Sequence, residues 1–81
     1  MIALIAITEC ASMPGRFTYS LQARRTVLKG RDAGADPAAA AAKAMELAIC
    51  HGRTAGYAIF GPQKVLDHIP PALRARAPDH G

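Results

Sequence analysis

The sequence predicts an α+β fold: a small antiparallel or mixed sheet of three to four strands in the order β-β-β-α-β, closed by a short C-terminal helical turn, with one main helix packed on one face. Three observations predict it. Residues 36–52, DPAAAAAKAMELAICHG, carry the start, body and stop of a helix. An apolar run from Ile2 to Ile7 and an alternating run from Phe17 precede that helix. A further apolar run, Tyr57 to Phe60, follows it between two glycines.

The helix is the most strongly marked element. Asp36 suits a cap on the orphan amides of a first turn, Pro37 has no amide to lose at the first helical position, and Gly52 suits a left-handed stop. Alanines and the Lys43–Leu47 stretch are strong helix formers, giving about four turns at ~3.6 residues each. At ~100° per residue, Ala41, Ala44, Met45, Ala48 and Ile49 share one side, and Ala39, Lys43, Glu46 and Cys50 lie opposite. The first set is the predicted core face. An isolated helix of this length is marginal in water, so it must dock on a sheet.

The strands follow from period and branching. Ile2, Leu4, Ile5 and Ile7 place apolar groups on both faces, as in an interior strand that is covered twice or shows an exposed apolar face; it runs from Ile2 to about Glu9. Cys10–Gly15, CASMPG, is a loop. From Arg16 onward Phe17, Tyr19, Leu21 and Ala23 alternate with Thr18, Ser20, Gln22 and Arg24, the signature of a half-buried strand. Thr26–Arg31 returns antiparallel after a turn near Ala23–Arg25, which lacks the Asn or Gly of a tight hairpin. Arg31–Ala35 is read as a loop into the helix. Tyr57–Phe60 is a last strand, Gln63–His68 a helical turn, and Pro70-Pro71 breaks it before a terminal turn through Leu73. Residues 1–76 form the predicted domain and 77–81 a frayed tail.

At 81 residues the chain suits one domain burying roughly 60% of its unfolded surface. Half of its residues are apolar, 51%, and 20% are charged, a globular rather than disordered composition. Ten Lys and Arg against six Asp and Glu give a net charge of +4, which favours a negatively charged partner and equally serves solubility. Cys10 and Cys50 form no CxxC pair and suit a reducing cytoplasm. The run from Met1 to Ile7 lacks a basic flank and is read as a strand rather than a leader, and no run reaches the ~20 apolar residues of a membrane span.

No catalytic constellation is legible. His51, His68 and His80 with the cysteines have no shared ligand spacing, because Cys50 and His51 diverge by ~100° on a helix. Ser12, Ser20 and Cys50 sit in no nucleophile motif, and no Walker or GxGxxG pattern accompanies Gly30 and Gly34. The sequence thus predicts no enzyme activity, no metal and no cofactor. Charge is more informative: Arg16, Arg24, Arg25, Lys29 and Arg31 fall in the hairpin segment before the first acid, Asp32. That limb suits phosphates or an acidic protein face, and it equally suits a strand edge guarded by charge. Leu47 and Cys50 project beside Lys43 and Glu46 on the predicted outer face, an apolar site amid charges. Phe17, Tyr19, Tyr57 and Phe60 are read as core rather than stacking platforms.

The run RDAGADPAAAAAKAMELA, followed by GYAIFGPQKVLDHIPPALR and preceded by GRFTYSLQ, resembles a small family of anti-CRISPR proteins that inhibit type I-F CRISPR-Cas systems, the fifth-numbered family of that series. The likeness covers roughly residues 15–76 and is strongest at Asp36-Pro37, Ala39–Met45, Lys64-Val65-Leu66 and Ile69-Pro70. It implies a phage or mobile-element protein in the bacterial cytoplasm that binds the crRNA-guided surveillance complex without catalysis, after DNA is bound, and blocks recruitment of the helicase-nuclease. On this reading the partner contacts are Arg24, Arg25, Lys29, Arg31, Lys43, Glu46 and Leu47, and the chain is a monomer or weak homodimer with no membrane partner. The alternative is a small basic nucleic-acid-binding domain using Arg24, Arg25, Lys29 and Arg31.

Overall fold

The computed structural model describes residues 2–53 and 55–77. Met1, Thr54 and residues 78–81 lie outside that description, and with them most of the predicted frayed tail, including Pro78 and His80. Strands β1 (Ala3–Glu9), β2 (Phe17–Gln22) and β3 (Val27–Gly34) precede helix α1 (Pro37–Gly52). Strand β4 (Tyr57–Phe60), the short helix α2 (Gln63–Leu66), a 3-10 turn at Pro71–Leu73 and strand β5 (Ala75–Arg76) follow.

The α+β architecture is as expected, with five strands rather than three or four. Their order is β3-β2-β1-β4-β5. β1 lies at the centre, antiparallel to β2 and parallel to β4, so the sheet is mixed. The added strand is β5, just past the last turn predicted from the sequence; it pairs Tyr57 with Arg76 and Ala58 with Ala75.

Alternation decides which side of the sheet is covered. Ala3, Ile5 and Ile7 of β1, Phe17, Tyr19 and Leu21 of β2, and Tyr57 and Ile59 of β4 are buried together beneath α1. Val65 and Ile69 from the α2 region complete this core. Their neighbours in sequence point to the other side, where no helix lies. The apolar residues on both faces of β1 therefore reflect an interior strand with one covered and one open face.

Two elements depart from expectation for identifiable reasons. β3 continues to Gly34 through the segment read as a loop. Its pairing with β2 shifts register between Tyr19 and Leu21 and again between Phe17 and Thr18, and each bulge inserts a residue that destroys the period-2 pattern by which a strand is read. Gly30, at φ 62°, supplies the left-handed backbone that the first bulge requires.

The second departure is the rotation of α1. The residues it buries are Ala40, Ala41, Ala44, Leu47, Ala48 and Gly52, an arc turned by about 60° from the predicted one at ~100° per residue. Leu47 is 6% exposed, whereas Ile49, assigned to the core, is 66% exposed. Alanine on nearly every side gives the helix little contrast, leaving Met45, Leu47 and Ile49 to decide the projection. Met45 and Ile49 fell together and outweighed Leu47.

The stop of the helix also differs. Gly52 is the last helical residue and has no positive φ; the left-handed glycine is Gly56, whose amide donates to the Gly52 carbonyl at 3.0 Å. Gly52 is required by proximity instead. A Cβ there would lie 2.6 Å from Tyr57 Cβ, a separation that only a shift of α1 or β4 would relieve. The start is as predicted: the Asp36 side chain accepts from the Ala38 amide at 3.4 Å.

Candidate partner-binding surface

Four of the predicted contact residues stand on the β2–β3 hairpin. Arg24 and Arg25 form its tip, bracketed by Ala23 and Thr26, whose amides donate to each other's carbonyls at 2.8 and 3.3 Å. Neither arginine has positive φ, so this two-residue connection is not the primed turn that matches strand twist best. The tip is exposed and both residues follow it into open solvent. Lys29 lies at the bulge opposite Ser20, and Arg31 pairs in register with Tyr19.

β3 is an edge strand. Among the described residues Arg24, Arg25, Lys29 and Arg31 take part in no ion pair. Arg16, the remaining cation of this limb, is neutralised by Asp32 at 3.0 Å. The hairpin therefore presents positive charge that no ion pair among the described residues compensates.

Tyr19 joins this limb to the helix. Its ring is buried under α1, Arg31 stands opposite it across the β2–β3 ladder, and Lys43 Nζ lies 5.6 Å from the ring centre. Glu46 Oε1 in turn lies 3.7 Å from Lys43 Nζ, an exposed pair of little energetic weight. Arg31, Lys43 and Glu46 are thus brought to one side of the sheet, while Arg24, Arg25 and Lys29 extend along the hairpin.

Leu47 does not belong to this surface. Its burial in the core corrects the prediction that it projects outward beside Lys43 and Glu46; Cys50 is exposed as expected. The outward apolar residue of α1 is Ile49. With Met45, Ala48, Tyr57 and Leu73 it lines a shallow apolar depression between α1 and the 3-10 turn. The Tyr57 hydroxyl donates to the Leu73 carbonyl at 2.9 Å and Arg74 donates to the Ile69 and Leu66 carbonyls at 3.0 and 2.8 Å, which fixes that turn against the core. The depression was missed because Ile49 was assigned inward and Leu73 carried no pattern beyond a local turn.

A separate charged contact holds the Cys10–Arg16 loop. Glu9 accepts from Lys64 at 2.6 Å and from the Gly15 amide at 3.0 Å. The Lys64 hydrogen bond, then the Gly15 amide, hold its carboxyl below the ordinary value of 4.5. Lys64 also lies 5.7 Å from the centre of the Phe17 ring.

The described residues contain no group of three or more His, Cys, Asp or Glu placed to hold a metal ion, and no helix long and apolar enough to cross a membrane. Of the predicted contact residues, Arg24, Arg25, Lys29, Arg31 and Glu46 are exposed and Lys43 is half-buried. No protein-family model matches the chain, and no curated protein is significantly similar to it.

Proposed function

We propose that this chain is a non-enzymatic anti-CRISPR inhibitor that acts in the bacterial cytoplasm. It binds the type I-F crRNA-guided surveillance complex in its DNA-bound form and blocks recruitment of the helicase-nuclease. The resemblance over residues 15–76 supports the choice of target. The observation that carries the binding surface is the set of four cations, Arg24, Arg25, Lys29 and Arg31, without an ion-pair partner among the described residues. On an exposed hairpin such charges steer association toward an acidic or nucleic-acid-rich face. A slab of 43 × 26 × 14 Å is wide enough to occupy a standard docking face of about 800 Å² per partner.

Calorimetry and native gels with purified surveillance complex, with and without target DNA, test this reading. Binding at micromolar concentration or tighter to the DNA-loaded complex, with cleavage blocked and every component intact, is expected. No detectable binding removes the reading.

The same four cations favour a second reading, a small nucleic-acid-binding domain. Four phosphate contacts imply a log–log salt slope of about −3 to −4, at ~0.7–0.9 per contact. Tight binding to naked duplex or single strand with that slope, and no preference for the complex, selects it.

A further inference from the structure

We propose that residues 70–77 form a strap that opens as a unit while the rest of the fold stays closed, with Arg74 as its pin. The strap carries the 3-10 turn and lays β5 along the outer edge of β4. None of its residues is buried: Arg74 is half-buried and the others are exposed. What it lies against is core, since Tyr57, Ile59, Val65 and Ile69 are all buried. A segment that buries no side chain of its own sits at the low end of local stability, however firm the surface beneath it.

Hydrogen bonds rather than packing close it. The Ile59 amide donates to the Arg74 carbonyl at 2.8 Å and the Tyr57 hydroxyl to the Leu73 carbonyl at 2.9 Å, and β5 adds a ladder only two residues long. Neutral bonds near the surface exchange for bonds to water at small net cost. Arg74 differs because its donors are charged: Nε reaches the Ile69 carbonyl at 3.0 Å and Nη2 the Leu66 carbonyl at 2.8 Å. Leu66 ends α2, where helix carbonyls have no partner within the helix, so one planar group ties the strap to that end. The bonds from the Leu73 amide to the Pro70 carbonyl and from the Arg74 amide to the Pro71 carbonyl, at 2.8 and 3.3 Å, lie within the strap and survive its opening. Buried Ile69 anchors the base, and the fixed φ of Pro70 and Pro71 keeps the moving part stiff.

Opening changes what the molecule presents. With the strap closed, β4 lies between β1 and β5. With it open, β4 becomes an edge whose Ile59 amide has lost its acceptor, and an unpaired edge is a template for a strand of another chain. Leu73 also leaves the depression that it lines with Met45, Ala48, Ile49 and Tyr57. The strap is thus a guard on the β4 edge. It stands at the far side of the sheet from β3, so its opening does not depend on the inhibitor reading.

Native-state hydrogen exchange of the full chain, read residue by residue by NMR over a series of low urea concentrations, tests it. The Ile59 amide is expected to exchange at least ~tenfold faster than the amides of β1 and with little urea dependence, because a local opening exposes little surface. R74A is expected to speed exchange at Ile59 by about tenfold or more, as the loss of two charged hydrogen bonds implies, while leaving β1 nearly unchanged. Y57F removes one neutral bond and speeds Ile59 less. Circular dichroism checks that the variants fold, and if R74A does not, the urea series on the unmodified chain and on Y57F decides. Exchange at Ile59 that matches β1 in rate and urea dependence overturns the proposal, because the strap then opens only with the whole molecule. So does a folded R74A that speeds Ile59 and β1 equally, or that leaves Ile59 unchanged.

Discussion

Replacing Leu47 by alanine tests the orientation of α1 most sharply when compared with the same change at Ile49. The two residues are adjacent but one on the helix, and only Leu47 is buried. Truncating a buried leucine removes its transfer free energy and leaves a cavity, together costing about 2–5 kcal/mol. Here the loss falls in the lower half of that range, about 2–3 kcal/mol, because Leu47 lies at the border of the alanine stripe and the site can partly collapse. A chain of 81 residues has a total stability of about 4–12 kcal/mol, so the variant keeps only part of it. At about 4–8 °C per kcal/mol, Tm falls by roughly 10–20 °C. Ile49→Ala removes a side chain that is 66% exposed and gains several tenths of a kcal/mol in helix propensity, so its effect stays within about 0.5 kcal/mol. Urea unfolding with a shared m-value, followed by fluorescence or far-UV circular dichroism, measures both. A larger loss at Ile49 than at Leu47 would restore the rotation that the sequence projection suggested and refute the packing described here.

Three other variants probe separate contacts. Gly52→Ala gains up to ~1 kcal/mol of helix propensity but drives a Cβ to 2.6 Å from Tyr57 Cβ, an overpacking cost of about 1–3 kcal/mol; a lowered Tm is expected, and a raised one contradicts the close approach of α1 and β4. Glu9 has its folded-state pKa depressed chiefly by Lys64, so its contribution to stability is fully present above the ordinary value of 4.5 and fades as pH falls through the lower folded value. Glu9→Gln should therefore flatten the stability profile only at the acid end, and a profile unchanged between pH 2 and 6 in urea titrations (roughly the carboxylate range) would show that the contact does not form. Reversing charge at Arg24 and Arg25 together should weaken binding to the DNA-loaded surveillance complex by about tenfold or more, ~1.4 kcal/mol, mainly through slower association; unchanged inhibition would remove the hairpin tip from the contact surface.

What the sequence made legible follows from how local each signal is. The Asp36-Pro37 start of α1, the alternation through Phe17, Tyr19 and Leu21, and the glycine-bounded Tyr57–Phe60 run are encoded within a few residues, and each element forms where it was expected. β3 was truncated because two register shifts break alternation, and only its partner strand reveals that Asp32 and Gly34 still pair. β5 escaped notice because a two-residue strand has no period at all; it exists because β4 offers an edge. The inversion of Leu47 and Ile49 has another cause. In a helix built from alanine, inward and outward are assigned by what the helix lies against, and that information resides in the sheet. The hairpin cations, by contrast, were legible as a charge cluster, while their lack of ion-pair partners among the described residues and the link through Tyr19 to Lys43 required the three-dimensional structure.

Recruitment of the helicase-nuclease to a DNA-loaded type I-F surveillance complex is the most direct measurement of the functional account. With labelled DNA and labelled helicase-nuclease followed together, adding this chain in stoichiometric amount should abolish recruitment while the DNA stays bound. Recruitment that proceeds unchanged, or DNA that is released from the complex, contradicts it.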